Sequence, residues 1–161
     1  MLTTSLQLTL LLLVANGAPV LAKDLLGGRW AWPVDFGLSL PDRRRLLGDS
    51  CSWRGLVAAI AATAVTAWLL DLGFGFGAAL GALAMSGDML SSFVKRRLGL
   101  PPGSMALVLD QVPESLLPLL WARQALVLDA YQVLGLTLSF LVLELVLSRI
   151  LYRYRLRAHP Y

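Results

Sequence analysis

The chain alternates between long apolar blocks and short polar segments, and that alternation constrains its fold more than any single motif. The apolar blocks cover about residues 2–22, 53–70, 72–87, 115–128 and 133–152. Around 20 apolar residues cross the hydrocarbon core of a bilayer as a helix, whereas a soluble core has no use for such uninterrupted runs. Charged residues make up 15% of the chain, against roughly 25% in an ordinary soluble domain. The pattern predicts an all-α integral membrane protein with about five transmembrane helices, forming a single polytopic membrane domain over residues 1–161. The first block has the apolar core and small-residue end of a signal peptide. No lysine or arginine precedes it, however, and a signal peptide normally starts positive, so retention as the first span is expected.

Between the spans lie polar segments at about 23–52 and 88–114 and a tail at about 153–161. With the N-terminus outside, all three fall on one side. That side then holds every lysine and arginine except Arg123, and the opposite turns near Asp71 and Asp129 hold none. One-sided basic residues mark the cytoplasmic face. The expected location is a cell membrane, crossed several times, with the polar site facing the cytoplasm. The net charge of +4 is accordingly read as topology and lipid-headgroup contact, and no nucleic-acid partner is expected. Cys51 is the only cysteine and His159, in the tail, the only histidine. An internal disulfide and a histidine base within the membrane are both excluded.

Candidate chemistry gathers in three places. If the third span continues as a helix past Gly87, then Asp88, Ser92 and Lys95 fall at i, i+4 and i+7 on one face. A carboxylate there suits magnesium, a hard cation that shares its shell with substrate phosphates. Lys95, Arg96 and Arg97 suit the phosphates themselves, although a basic cluster that merely anchors a helix end would look the same. Asp110, just before the fourth span, lies on the same side as Asp88, and a loop between them could bring two carboxylates to one cation; ordinary loop solvation is the alternative. The first polar segment supplies Asp35, Arg44, Arg45, Asp49 and Arg54, whose arginines and nearby glycines suit a triphosphate or anionic headgroups. Inside the bilayer, Arg123 and Glu144 lie on neighbouring antiparallel spans and are expected to pair. Gly77 and Gly81 form a G-x-x-x-G pair that lets another helix approach closely, within this chain or in a homodimer.

Several of these segments together resemble one known family. They are Asn16-Gly17-Ala18-Pro19-Val20-Leu21, Pro33-Val34-Asp35-Phe36-Gly37, Arg44-Arg45-Leu46-Leu47-Gly48-Asp49 with Trp53-Arg54-Gly55, Gly87-Asp88 through Lys95-Arg96-Arg97-Leu98-Gly99, and Leu109-Asp110-Gln111. In order and spacing, over most of the chain, they resemble the CDP-archaeol synthase family, which is related to the CDP-diacylglycerol synthases. The resemblance implies a membrane cytidylyltransferase that uses Mg2+ and joins CTP to a phosphorylated glycerolipid, releasing pyrophosphate. It further implies that Asp88 and Asp110 hold the metal and act in catalysis with Lys95 and Arg96. Asp35, Arg44, Arg45, Asp49, Arg54, Ser92 and Arg97 would bind substrate. One departure stands out: where the family commonly has a lysine between the Gly-Asp and Trp-Arg-Gly elements, this chain has Cys51. Two other functions stay open at this level, a CTP-dependent lipid kinase and a non-catalytic lipid-binding relative.

Overall fold

The computed structural model describes residues 2–101, 104 and 106–153. The tail expected beyond Arg153, with His159, lies outside the described residues. Five helices follow one another: α1 Leu2–Leu26, α2 Trp53–Leu69, α3 Phe74–Arg97, α4 Leu107–Leu126 and α5 Ala130–Arg153. Three stretches are long and apolar enough to cross a membrane, Thr3–Leu26, Phe74–Arg97 and Ala130–Ile150. The other two fall short for visible reasons. Helix α2 is apolar but only 17 residues long, about 25 Å at the usual rise, and α4 carries Asp110, Glu114 and Arg123. The fold is an all-helical integral membrane bundle.

The second polar segment differs from its expected form. It is largely helical, because α3 runs on to Arg97 and α4 begins at Leu107. No breaker interrupts α3 until Gly99, which takes φ +77° and ends the helix. Its neighbours return their N–H groups to the last turn, Leu98 to the Val94 carbonyl and Leu100 to the Lys95 carbonyl, a glycine-terminated end of the kind that satisfies free carbonyls. Helix α4 accommodates Pro113 and Pro118 inside its length. Each proline withholds one N–H, from the carbonyls of Leu109 and Glu114 respectively.

Close helix crossings are set by glycines. A Cβ added at Gly77 would lie 2.4 Å from the Ala67 Cβ and 2.5 Å from the Thr63 carbonyl oxygen, and one at Gly81 would lie 3.1 Å from the Thr63 Cβ. The G-x-x-x-G pair is thus spent on packing α3 against α2 in the same chain. At the other end of α3, a Cβ on Gly87 would stand 2.3 Å from the Pro113 carbonyl oxygen and 2.6 Å from the Glu114 nitrogen. Backbone therefore meets backbone where α3 crosses α4.

The apolar core occupies one half of the bundle. Leu8, Leu11 and Leu12 of α1 meet Ala67, Leu80, Leu119, Ala122 and Phe140 there, all fully buried. Polar side chains fill the other half. Arg123, expected to pair with Glu144, instead sits at the apolar end, where its Nε donates to the Leu128 carbonyl at 3.1 Å. Glu144, about four turns into α5, lines a cavity at the polar end.

Candidate active site

The loop 27–52 covers the polar end, and Asp35 organises it. Its carboxylate accepts from Arg45 Nη2 at 2.7 Å and from the backbone N–H groups of Leu47 and Gly48, each at 3.0 Å, and of Gly37 at 3.1 Å. Burial alone would raise its pKa, but the Arg45 guanidinium and these three N–H groups outweigh burial and hold the carboxyl well below the usual carboxylate range. Arg45 also reaches Asp49 at 3.0 Å.

A second set of contacts fastens this loop to the end of α3. Arg44 Nη1 donates to the carbonyls of Arg96 and Arg97. Arg97 donates in return to Asp42 Oδ2 at 2.6 Å and to the Arg45 carbonyl at 2.5 Å, and stacks over Phe93. Arg54 ties the start of α2 back to the carbonyls of Gly27 and Arg29. Of the residues expected to bind substrate, Asp35 and Arg45 are therefore engaged within the loop, and Arg44, Arg54 and Arg97 in fastening it to the helix ends. Asp49 is the exposed member, with 76% of its side chain open to solvent.

Beneath the loop lies a cavity of about 220 Å³, lined by all five helices and by the loop at Val34 and residues 50–52. Asp88, Glu114 and Glu144 all face it, with Asn16 and Cys51. The crossing at Gly87 and Pro113 explains the first pair: it sets their chain neighbours, Asp88 and Glu114, close together on the wall of one cavity. Two carboxyl groups so placed share either a proton or a cation. The Cys51 thiol points at Ser92 Oγ (3.3 Å) and Asp88 Oδ2 (3.6 Å), donating to one or the other. Burial, reinforced by the Asp88 charge, pushes its pKa up to about 12, so it is a neutral donor and no nucleophile.

Next to this cavity, Lys95 and Asp110 form an ion pair of 2.6 Å, and Asp110 Oδ2 accepts from the Ala106 N–H at the start of α4. Arg96 is buried; Nη2 donates to the Pro101 carbonyl at 2.9 Å, while Nε and Nη1 meet no acceptor among the described residues. The structure thus joins Asp88 with Ser92 and sets Lys95 and Asp110 beside them, as α3 continuing past Gly87 predicts. It adds Glu114 and Glu144, which were not singled out for this site. Reading 107–114 as a helix would have exposed Glu114, since it lies one turn after Asp110 on the same face.

Carboxyls, an ammonium group and a guanidinium with two nitrogens lacking acceptors among the described residues are thus gathered at one end of a membrane bundle under a clamped loop. Comparison makes this specific. The sequence model of the CarS-like family, described as CDP-archaeol synthase, matches residues 1–76 and 72–161. The chain is 47% identical over 108 residues to the CDP-archaeol synthase of Aeropyrum pernix, a match covering 62% of this chain and 58% of that protein. It is 32% identical over 159 residues to the CDP-archaeol synthase of Sulfurisphaera tokodaii, covering 92% of this chain and 90% of that protein. A solved structure of an intramembrane enzyme for archaeal membrane lipids biosynthesis superposes with a TM-score of 0.73 and 38% identity, covering 87% of this chain and 89% of its own. The chain belongs to the CDP-archaeol synthase family.

Proposed function

We propose that the protein transfers the cytidylyl group of CTP to the phosphate of a glycerolipid, giving a CDP-activated lipid of the CDP-archaeol or CDP-diacylglycerol type and pyrophosphate. The observation that carries this reading is the set of carboxyls, Asp88, Glu114 and Glu144, facing one cavity walled by membrane helices, with the Lys95–Asp110 ion pair next to it. A lipid phosphate oxygen attacks the α-phosphorus of CTP, a P–O bond forms, and the α–β bond breaks with its electrons leaving on pyrophosphate. The nucleophile is already anionic at neutral pH, so no histidine base is needed. What the protein supplies is position and neutralising charge.

The residues fit magnesium. Among the described residues no group of three or more His, Cys, Asp or Glu side chains is arranged as a metal cage. Magnesium does not require one, since it is commonly held by one or two carboxylates together with water and substrate phosphates. Asp88 with Glu114 would hold it, and Asp110 would join them if Lys95 left its ion pair for a phosphate. The bound ion would screen the negative charge of the reacting phosphates. Lys95 and the free Nε and Nη1 of Arg96 are the protein's own cations for those phosphates. The polar end carries the basic loop and the C-terminal turns of α1, α3 and α5, so by the charge rule it faces the cytoplasm, where CTP is.

The test is a lipid-extraction assay on detergent-purified protein, with magnesium and CTP labelled in the cytidine ring. Phosphatidic acid and a geranylgeranyl ether phosphate are offered in turn. Label entering the organic phase with release of pyrophosphate, and lost in Asp88→Asn, is expected. Release of CDP without labelled lipid would replace this reaction by a kinase.

A further inference from the structure

Helix α2 is short for the membrane it stands in. Its outward face is a stripe of exposed residues, Trp53, Val57, Ala61, Val65 and Trp68, spaced three or four apart on one side. From Trp53 to Trp68 the stripe runs about 22 Å at the usual rise, against a hydrocarbon core of about 30 Å. The bilayer must thin beside such a helix, or residues flanking it must make up the length. The loop 27–52 supplies those residues. The Phe36 ring lies 6.3 Å from that of Trp53, and the Trp32 carbonyl accepts the Trp53 N–H at 3.0 Å, so both adjoin the first turn of α2. Arg54 holds the chain before Trp30 to the same turn, through the carbonyls of Gly27 and Arg29.

Trp30, Trp32 and Phe36 are 67%, 67% and 77% exposed, and large apolar side chains left open beside one another mark an interaction surface. The backbone holds two of them out against its own preference. Trp30 takes φ +54° and Phe36 φ +48°, in the left-handed region where a bulky residue is an outlier. Such strain persists only where surrounding contacts fix it, and here Arg54 fixes the chain before Trp30 while Arg45 and three N–H groups fix Asp35, just before Phe36.

Charge identifies what the surface meets. Arg29 and Arg43 are exposed and enter no ion pair among the described residues. The acids of the loop are engaged elsewhere, Asp35 and Asp49 by Arg45 and Asp42 by Arg97. Aromatic rings flanked by unpaired cations fit the headgroup layer of an anionic leaflet, where tryptophan is enriched and basic residues are attracted. A second copy docked by two-fold symmetry would instead set the surface, cations included, against itself.

We infer that the loop face carrying Trp30, Trp32 and Phe36 is embedded in the headgroup layer of the leaflet at the polar end, where it completes the α2 span and where Arg29 and Arg43 select anionic lipid. This contact is independent of the proposed reaction. The probe is phospholipid brominated either near the headgroup or near the chain end, in nanodiscs that hold one copy of the full-length chain. Trp53→Phe, Trp68→Phe and Trp121→Phe together leave Trp30 and Trp32 as the only tryptophans. Shallow bromine is expected to quench their emission about twofold or more, with deep bromine and aqueous iodide quenching much less. At a low, equal mole fraction, brominated anionic lipid should quench about threefold more efficiently than brominated neutral lipid, and Arg29→Gln with Arg43→Gln should remove the difference. Strong quenching by iodide with none by bromolipid puts the loop in water and overturns the contact. Equal quenching by anionic and neutral lipid overturns it as well, because the charge selection is then absent. Protection from iodide that appears only in discs holding two copies assigns the surface to a second copy and is equally fatal. If the triple variant does not fold, the unaltered chain is oxidised by hydroxyl radicals in anionic and in neutral discs and mapped by mass spectrometry. Trp30, Trp32 and Phe36 are then expected to be about threefold less oxidised in the anionic discs, and equal oxidation in the two overturns the contact.

Discussion

Gly87→Ala tests whether the α3–α4 crossing builds the site. One added methyl group would stand 2.3 Å from the Pro113 carbonyl oxygen, 2.5 Å from its carbon and 2.6 Å from the Glu114 nitrogen. All three are backbone atoms, so no side chain can rotate away, and the helices must part by about 1 Å to restore ordinary contact. Overpacking of this kind costs about 1–3 kcal/mol, offset by about 1 kcal/mol because alanine is the better helix former. The net loss of stability should be small. The effect on chemistry should be large, because Glu114 follows directly from Pro113 and moves with it away from Asp88. A displacement near 1 Å in a reacting constellation costs on the order of 100-fold. The assay is kcat for CDP-lipid formation, read beside a thermal melt in the same detergent. Gly77→Ala is the matched control, since its methyl would be as crowded, 2.5 Å from the Thr63 carbonyl oxygen, but at the crossing of α2 with α3. Its kcat per folded molecule should stay near wild type. If Gly87→Ala keeps kcat within threefold, or if both variants lose activity equally, the α3–α4 crossing does not set the catalytic geometry.

Two further predictions follow from the loop. Asp35→Asn should lower stability at pH 7 by on the order of 3 kcal/mol, since Arg45 loses its partner charge and buried N–H groups lose a charged acceptor. The depressed pKa of Asp35 makes its contribution fully present above the unfolded value of about 4 and progressively lost as pH falls below it. Melting curves of the two proteins should therefore differ most at neutral pH and converge in acid; a gap that widens below pH 4 would contradict this. Cys51→Ala should retain kcat within about threefold, and N-ethylmaleimide at pH 8 should leave the native enzyme active, because a buried thiol with a pKa near 12 presents almost no thiolate. Rapid inactivation by the reagent would show that the loop opens, or that the thiol is ionised.

The membrane class and the order of the helices were legible because hydrophobic blocks obey a length rule that needs no tertiary context. The continuation of α3 was legible too: nothing between Gly87 and Gly99 breaks a helix, so Asp88, Ser92 and Lys95 share a face. Residues 107–114 were not, because Pro113 and the preceding Pro101-Pro102-Gly103 are residue types that ordinarily mark turns and helix boundaries. A proline in the second turn of a helix loses only one hydrogen bond, here to Leu109. Asp35 shows a different limit. In sequence, an aspartate that binds its own loop cannot be told from one that binds a ligand, because both need the same neighbouring N–H groups and arginine.

The arginines can be sorted by what the helix ends require of them. The last carbonyls of α3 have no helical partners and carry the negative end of its dipole. Arg44 answers that need at the carbonyls of Arg96 and Arg97, and Arg97 holds the loop that delivers Arg44. These cations are consumed by the fold before any substrate arrives. Lys95 and Arg96, just before Arg97 in the same turn and buried, are differently placed: one is balanced by the Asp110 carboxylate, the other keeps two nitrogens without acceptors among the described residues. A cation that closes a loop must stay bound through the catalytic cycle, whereas one that handles a leaving group must let go each turnover. On the proposed reaction, the pair Lys95–Asp110, set against the fixed set around Arg44 and Arg97, is the one from which a cation would be released to a phosphate.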